Sequence, residues 1–408
     1  MSQEDPIAKA IGEVVAAGEL AGAATLVWQN GKVIQQAAVG WRDIEAGLPM
    51  ERDSIFRIAS LTKPITSVAA LMLLEEGRFA LDDPIARWAP EFAQMRVLRS
   101  VDGPLDQTDP AARPITFDDL LTHRAGLTYG SFHQGPIAAA YAEVLGGDID
   151  SPVPVDDWIA GIAALPLIDQ PGAGFHYGKS TDLLGLLIAR MDDAPLGEVL
   201  ERRIFGPLGM KDTGFVVPRE KRARRAGLYG FDAEGRLKLL QAPPGGAAMA
   251  ERPEDWTFVS GSGGLWSTLD DYLAFARLFV GQGEVDGVRL LRPETIALMT
   301  TNQLSEQQRT KTQLVAMPGF AAGHGFGLGV AVVTDPQKAS IIRGKGGLGT
   351  VGWPGAYGGW WQVDPTNGSV MILLMHNMVE LEQIELGMGL GGYGAILDFH
   401  AKGSALLR

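Results

Sequence analysis

Ser60 and Lys63 stand three residues apart in the run Phe56-Arg57-Ile58-Ala59-Ser60-Leu61-Thr62-Lys63-Pro64. A serine hydroxyl attacks a carbonyl only when a base takes its proton, and a lysine becomes that base when burial lowers its pKa. The spacing suits such a pair. Leu61 to Glu76 is rich in helix formers, Pro64 falls in the first turn where a missing N–H costs little, and Gly77 is a stop signal. Residues three apart share one helix face, so hydroxyl and amine can touch. With fifteen serines and eleven lysines in the chain, chance supplies such a spacing ~0.4 times. The pair alone therefore leaves two readings open: a Ser-x-x-Lys serine hydrolase, or a helix start with a solvated lysine.

The elements that must position this pair follow from the rest of the chain. Its 408 residues, 46% hydrophobic and 20% charged, suit a folded globular enzyme of two or three lobes. A net charge of −13, with no basic run beyond Lys221 to Arg225, argues against nucleic acid as a partner. The absence of cysteine excludes disulfides, thiolate catalysis and cysteine-ligated metals. The start, Met-Ser-Gln-Glu-Asp-Pro, lacks the basic and apolar segments of a secretory leader, and no apolar stretch is long enough to span a bilayer. The expectation is a cytoplasmic protein with no membrane partner. Oligomeric state is not legible.

Helical spacing marks the first fifteen or so residues, including Ile7, Ile11, Val14 and Val15. Ala24–Gln29 and Lys32–Val39 are strand-like runs around Asn30-Gly31, a strong hairpin signal. From about 80 to 225 strands become scarce and helical patches such as Asp182–Met191 recur, while 99–114 and 130–154 read as long loops. Strand character returns at Gly327–Thr334, Gly358–Val363 and Ser369–His376, the last two joined by the turn-rich Asp364–Gly368. Val379–His400 reads as a terminal helix interrupted by glycines. The expectation is an α/β fold: an antiparallel sheet built from both termini and flanked by helices, with a mainly helical domain inserted. In residue terms, 1–79 with 226–408 form the sheet domain and 80–225 the helical domain, with the active site between them.

Two further patches carry chemistry: Phe175-His176-Tyr177-Gly178-Lys179-Ser180-Thr181-Asp182-Leu183-Leu184-Gly185 and Gly349-Thr350-Val351-Gly352-Trp353-Pro354-Gly355-Ala356-Tyr357-Gly358. Together with Ser60-x-x-Lys63 they resemble the three site motifs of the class C β-lactamase superfamily, and more closely those of its family VIII carboxylesterases. Leu120–Leu127, Pro207–Thr213 and Gly263–Thr268 are similar to further runs of that family, so the resemblance covers roughly residues 8 to 400. It implies a β-lactamase-like fold, with Ser60 the acylated nucleophile, Lys63 its proton partner and Tyr177 a proton relay. A relay phenol with an ordinary pKa of ~10 needs a neighbouring cation to bring it toward neutrality, and Lys63 can supply one. The implied oxyanion hole is the pair of backbone N–H groups of Ser60 and Ala356, with Gly355 letting the strand approach the substrate.

Two departures from the family pattern stand out. Lys179 occupies the position commonly held by Asn, and is either a second cation near the phenol or a solvated side chain. Trp353-Pro354-Gly355 replaces the Lys-Thr-Gly run of true β-lactamases, so an apolar wall stands where a lysine holds a substrate carboxylate. Proline at the centre of that run is unusual in a paired strand. Strand alternation sends Trp360 and Trp361 to opposite faces, which leaves Trp353 and Tyr357 as candidate pocket walls, with Phe175 and Lys179 beside them. His123, in Leu120–Leu127, reads as a structural hydrogen-bonding residue.

The six histidines show no metal-binding spacing, and neither a metal nor a cofactor is expected. No serine lies in Gly-x-Ser-x-Gly, so an α/β-hydrolase triad fits poorly. The resulting expectation is a carboxylesterase acting on short-chain or compact small-molecule esters through an acyl-Ser60 intermediate. A β-lactamase, D-amino-peptidase or acyltransferase of the same superfamily is the alternative, and a non-catalytic binding module the minor one.

Overall fold

A computed structural model describes residues 5–240, 257–311, 319–343 and 346–408. The first four residues, read above for a leader, lie outside them. Helix α1 (Pro6–Ala16) starts at Asp5, whose carboxylate accepts from the Ile7 and Ala8 amides. Strands β1 (Gly22–Gln29) and β2 (Lys32–Asp43) form the expected hairpin. Its turn residues Asn30 and Gly31 have φ of 51° and 80°, the left-handed pair that matches strand twist. With β3 (Leu48–Pro49), β4 (His324–Phe326), β5 (Ala331–Val333), β6 (Val351–Pro354), β7 (Trp360–Asp364) and β8 (Ser369–Met375) they make an eight-stranded sheet in the order β4-β5-β6-β7-β8-β1-β2-β3. Every adjacent pair in it is antiparallel.

The sheet is covered on both faces. Every residue of β1 and of β8 is buried, and their side chains sort by alternation. Ala23, Val27, Met371 and Leu373 face α1 and the C-terminal helix, with Ile7, Ile11, Ala395 and Phe399. Ala24, Leu26, Trp28 and Ile372 face the main core. Trp361 joins that core and Trp360 the opposite layer, so the two tryptophans take opposite faces as alternation requires and neither lies in the site.

On the main-core side, α2 (Thr62–Glu75) is buried almost all round, Gly77 ends it at φ 71°, and eleven of its fourteen residues are enclosed. Such a helix draws its stability from packing, at roughly 1.5–3 kcal/mol per enclosed large apolar side chain, rather than from an amphipathic stripe. The middle of the chain adds α3 (Phe117–Leu121), α4 (Pro136–Leu145), α5 (Val155–Ala164) and α6 (Ser180–Asp192), and later come α7 (Leu269–Val280) and α8 (Leu390–Leu406).

Three sequence expectations are corrected. The 130–154 stretch holds α4, which begins with proline after Gly135, buries Ile137, Ala140, Tyr141 and Leu145, and ends at the left-handed Gly146. Within 99–114, Thr108–Pro110 pairs with Arg96–Leu98. The strand expected over Gly327–Thr334 shortens to Ala331–Val333, because Gly329 at φ 89° belongs to the turn before it. A side chain at Gly329 would strike the Ser67 hydroxyl on α2. Among the described residues no helix is long and apolar enough to cross a membrane.

Candidate active site

Ser60 sits in a short 3₁₀ turn (Ala59–Leu61) that leads into α2, and Ala59 before it has φ +45°. A non-glycine residue in that region carries a cost of order 1–3 kcal/mol, which persists only when surrounding structure enforces it. Here a ribbon pairs Phe56 and Arg57 with Ser267 and Trp266, while the Ile58 amide donates to the Leu265 carbonyl. On the far side Tyr272 of α7 donates its hydroxyl to the Leu61 carbonyl at 2.9 Å. The serine is thus held from both flanks.

One turn on, Lys63 is 1% exposed. Its Nζ lies 3.2 Å from Ser60 Oγ, 3.1 Å from the Tyr129 hydroxyl and 3.0 Å from the Ser262 carbonyl. Burial pulls its pKa down to about 7; Asp182 opposes that shift and Lys179 adds to it. The solvated-lysine reading of the Ser60/Lys63 pair is overturned by this burial.

Tyr177 comes from the loop before α6. Gly178 makes the approach possible: a Cβ there would lie 2.3 Å from the Cα and carbonyl carbon of Thr128. The loop is also tied to His123, whose carbonyl accepts the His176 amide at 2.7 Å and whose Nδ1 accepts the Gly178 amide at 3.4 Å. His123 is fully buried and its pKa is driven far down by burial, so it serves as a neutral acceptor.

The Tyr177 hydroxyl accepts the Trp353 indole N–H at 2.9 Å, and Lys63 Nζ stands 4.5 Å from the Tyr177 ring centroid. The sequence led us to expect a phenol drawn toward neutrality by Lys63. Burial instead raises its pKa above the ordinary tyrosine value, outweighing the lowering effects of the nearby Ser60 hydroxyl and the Trp353 indole. In the resting site Tyr177 is a protonated phenol, and the amine is the group poised to accept a proton.

The Gly355–Gly359 turn closes the other edge. The Gly355 amide donates to the Gly359 carbonyl at 2.7 Å, and a Cβ on Gly355 would come within 2.8 Å of the Ile58 carbonyl and 2.9 Å of Leu61 Cδ1. Glycine therefore lets this turn rest on the residues that flank Ser60. Among the described residues no loop carbonyl takes the hydrogen of the Ser60 or the Ala356 amide. Pro354 is tolerated because it is the last residue of β6, paired with Trp360 on β7 and lying past the Gly352–Ala331 pair that ends contact with β5.

The sequence-derived residues thus divide. Ser60, Lys63, Tyr177 and Trp353 converge, with Gly355 and Ala356 alongside. Phe175 is enclosed, 4.9 Å ring to ring from Phe326, which in turn supports Trp353 at 5.3 Å. Tyr357 is enclosed against His376, Ala59 and Leu228. Both are 2% exposed and Trp353 is 3% exposed, so all three rings are packed in this structure, Phe175 and Tyr357 as supports of neighbouring residues. Lys179 does not reach solvent; its Nζ donates to the Gly147 and Asp148 carbonyls at 2.8 and 2.7 Å.

Three participants were not singled out from sequence. The Tyr129 hydroxyl bridges Lys63 and, at 2.9 Å, Ser262 Oγ. Asp182 accepts from Ser260 Oγ at 2.6 Å and from the Ser262 amide and hydroxyl at 3.1 and 2.9 Å. The available signal was Ser260-Gly261-Ser262-Gly263-Gly264, small residues that permit close backbone approach. A Cβ on Gly261 would fall 2.9 Å from the Thr181 carbonyl, and this contact seats the run on α6.

Comparison with known proteins places the chain in a family. The β-lactamase family profile matches residues 7–385. Protein Rv1367c of Mycobacterium tuberculosis is 46% identical over 372 residues, covering 91% of this chain and 89% of its own. Esterase EstB of Burkholderia gladioli is 31% identical over 88% of this chain and 87% of its own. Among solved structures, EstCE1, described as a hydrolase with promiscuous acyltransferase activity, superposes with a TM-score of 0.76 at 26% identity, over 96% of this chain and 97% of that one. The chain belongs to the β-lactamase family of serine hydrolases, in the branch of the family VIII esterases.

Proposed function

We propose that this protein is a serine carboxylesterase that hydrolyses short-chain or otherwise compact carboxylic esters through an acyl-Ser60 intermediate. The observation that carries the reading is the buried Lys63 amine, 3.2 Å from Ser60 Oγ with its pKa drawn down to about 7. At neutral pH and above the amine is free to take the serine proton as Oγ attacks the ester carbonyl. The Ser60 and Ala356 amides stabilise the oxyanion. Tyr177, protonated and beside Ser60, gives its proton to the departing alkoxide and regains one from the Lys63 ammonium. Water then attacks the acyl-serine, and its proton returns through the same groups to Ser60 Oγ. Trp353, an apolar ring at the position where β-lactamases carry a cation, favours neutral esters over carboxylated lactams. On this reading the site lies in the seam between a sheet domain, 1–79 with 226–408, and a mainly helical domain, 80–225.

Acyl transfer to an alcohol uses the same intermediate, and the description of EstCE1 as a hydrolase with acyltransferase activity supports it as a second outcome. The test is hydrolysis of p-nitrophenyl acetate and butyrate by the wild type and by Ser60→Ala, with intact-mass detection of an acyl adduct. Loss of at least about a thousandfold in turnover, together with loss of the adduct, is expected. Turnover that survives the substitution sinks the proposal, and faster turnover of nitrocefin than of either ester would move the substrate class to lactams.

A further inference from the structure

Lys63 is not the only buried amine at this site. Lys179 is also 1% exposed, and the two side-chain nitrogens stand over the same phenol: Lys63 Nζ is 5.5 Å and Lys179 Nζ 5.3 Å from the Tyr129 ring centroid. Tyr129 in turn holds Lys63 through its hydroxyl. Lys179 is anchored by the Gly147 and Asp148 carbonyls, with the Asp148 carboxylate 3.9 Å away. The strap it grips continues through Ile149, which lies over Gly263 and beside Ala59, to Asp150, bound to buried Arg57 at 2.5 Å. A buried cation is expensive unless carbonyls or counter-charges satisfy it, and this strap supplies both to Lys179 beside Tyr129.

We infer that Lys179 is a positioning residue of the acyl-transfer site: fixed by the 147–150 strap, its positive charge, set over Tyr129, works with burial and against Asp182 to hold Lys63 in the free-amine form that activates Ser60. The inference rests on the proposed serine-hydrolase reading. The groups that face Lys63 are Tyr129, Tyr177, His123, Asp182 and Lys179. Burial keeps both phenols protonated and His123 neutral. Burial is the largest influence that lowers the Lys63 pKa, and among the charged groups the Asp182 carboxylate favours the ammonium while Lys179 opposes it. Lys179 itself faces Asp148, Asp150 and Asp182, and burial lowers its own pKa against their pull.

Because the free amine is the active form, acylation should rise with pH through the Lys63 titration, and removing a neighbouring cation moves that limb upward. The test is the pH dependence of Ser60 labelling by a fluorophosphonate in the wild type, Lys179→Met and Lys179→Gln. We expect the acid limb to move up by about one pH unit in both variants, with labelling about fivefold slower at pH 7 and recovering above the new limb. A limb unmoved in a variant that still labels overturns the inference. If both fail to fold, Lys179→Arg decides: a limb near the wild-type position supports the role of charge, whereas a raised limb or an unfolded protein makes the residue merely structural and overturns it. Failure of the wild type to label at Ser60 would instead bring down the hydrolase reading itself.

Discussion

Helices α3 and α7 begin differently from α2 and α6. At α3 the Thr116 hydroxyl accepts the Asp119 amide at 3.3 Å, and the Asp119 carboxylate reaches back to the Thr116 amide at 3.0 Å. At α7 Thr268 accepts the Asp271 amide at 3.3 Å. Each cap is worth about 1 kcal/mol. The two helices that meet at the candidate site have no side-chain cap: α2 follows Leu61 and α6 follows Lys179. Ser60 stands close to the start of α2, yet its hydroxyl is engaged by Lys63, and Ala59 before it is held at positive φ. Both site helices forgo local stability and recover it through burial, which encloses most of each. Local rules are broken where a chemical geometry is imposed instead. Substitutions at the starts of α2 and α6 should therefore act on reactivity, and those at the capped starts of α3 and α7 on stability.

The largest separation is expected from Lys63→Met. Ester turnover should fall by about a thousandfold or more with the loss of the base, while the melting temperature holds or rises, since an apolar side chain replaces an amine buried at a cost. The pH dependence gives the sign. In the folded protein the Lys63 pKa is lowered to about 7 from 10.5, so between those values the unfolded chain binds more protons and stability rises with pH. Below pH 7 the full penalty is present. Wild-type stability should therefore climb from pH 7 toward 10, and in Lys63→Met that slope should flatten. Denaturant titrations at several pH values measure it; equal slopes in the two proteins would contradict a neutral buried amine.

Gly178→Ala is a position where the two classes should coincide. The new methyl would meet the Thr128 backbone at 2.3 Å, and no side-chain rotation relieves a clash with main chain. A loss of about 2–4 kcal/mol in stability is expected, along with slower fluorophosphonate labelling of Ser60, because the same contact seats Tyr177. A stable variant with wild-type labelling would show that the 128–129 and 177–178 segments can part without consequence.

Much of this arrangement was legible from sequence. The β1–β2 hairpin was announced by Asn30-Gly31, the end of α2 by Gly77, and the opposed faces of Trp360 and Trp361 by alternation, because each depends on neighbours in the chain. Ser60, Lys63 and Tyr177 were legible from motifs, since the chemistry restricts residue type. What was missed depends on long-range approach. Tyr129 and Ser262 look like ordinary loop residues until Gly178 and Gly261 bring their backbones onto the α6 segment. The enclosure of Phe175 and Tyr357 is a property of three-dimensional packing that carries no local signature. Lys179 was read as either a second cation near the phenol or a solvated side chain, because the carbonyls that bind it lie some thirty residues earlier in sequence.

The smallest expected effect tests the comparison from its other side. Thr268→Ala removes the α7 cap and should cost about 1 kcal/mol, read as a small drop in melting temperature. It should leave Ser60 labelling, and its acid limb near pH 7, where they are. The two ends are not wholly independent, however. Tyr272, whose amide bonds the Thr268 carbonyl at 3.0 Å, also holds the Leu61 carbonyl through its hydroxyl at 2.9 Å. That bond reaches the residue directly after Ser60. If the cap merely stabilises α7, the eleven other residues of that helix hold Tyr272 in place and reactivity is unchanged. A labelling rate that falls several-fold in a well-folded Thr268→Ala protein would mean that the cap sets the position of Tyr272, and through it the turn that carries Ser60.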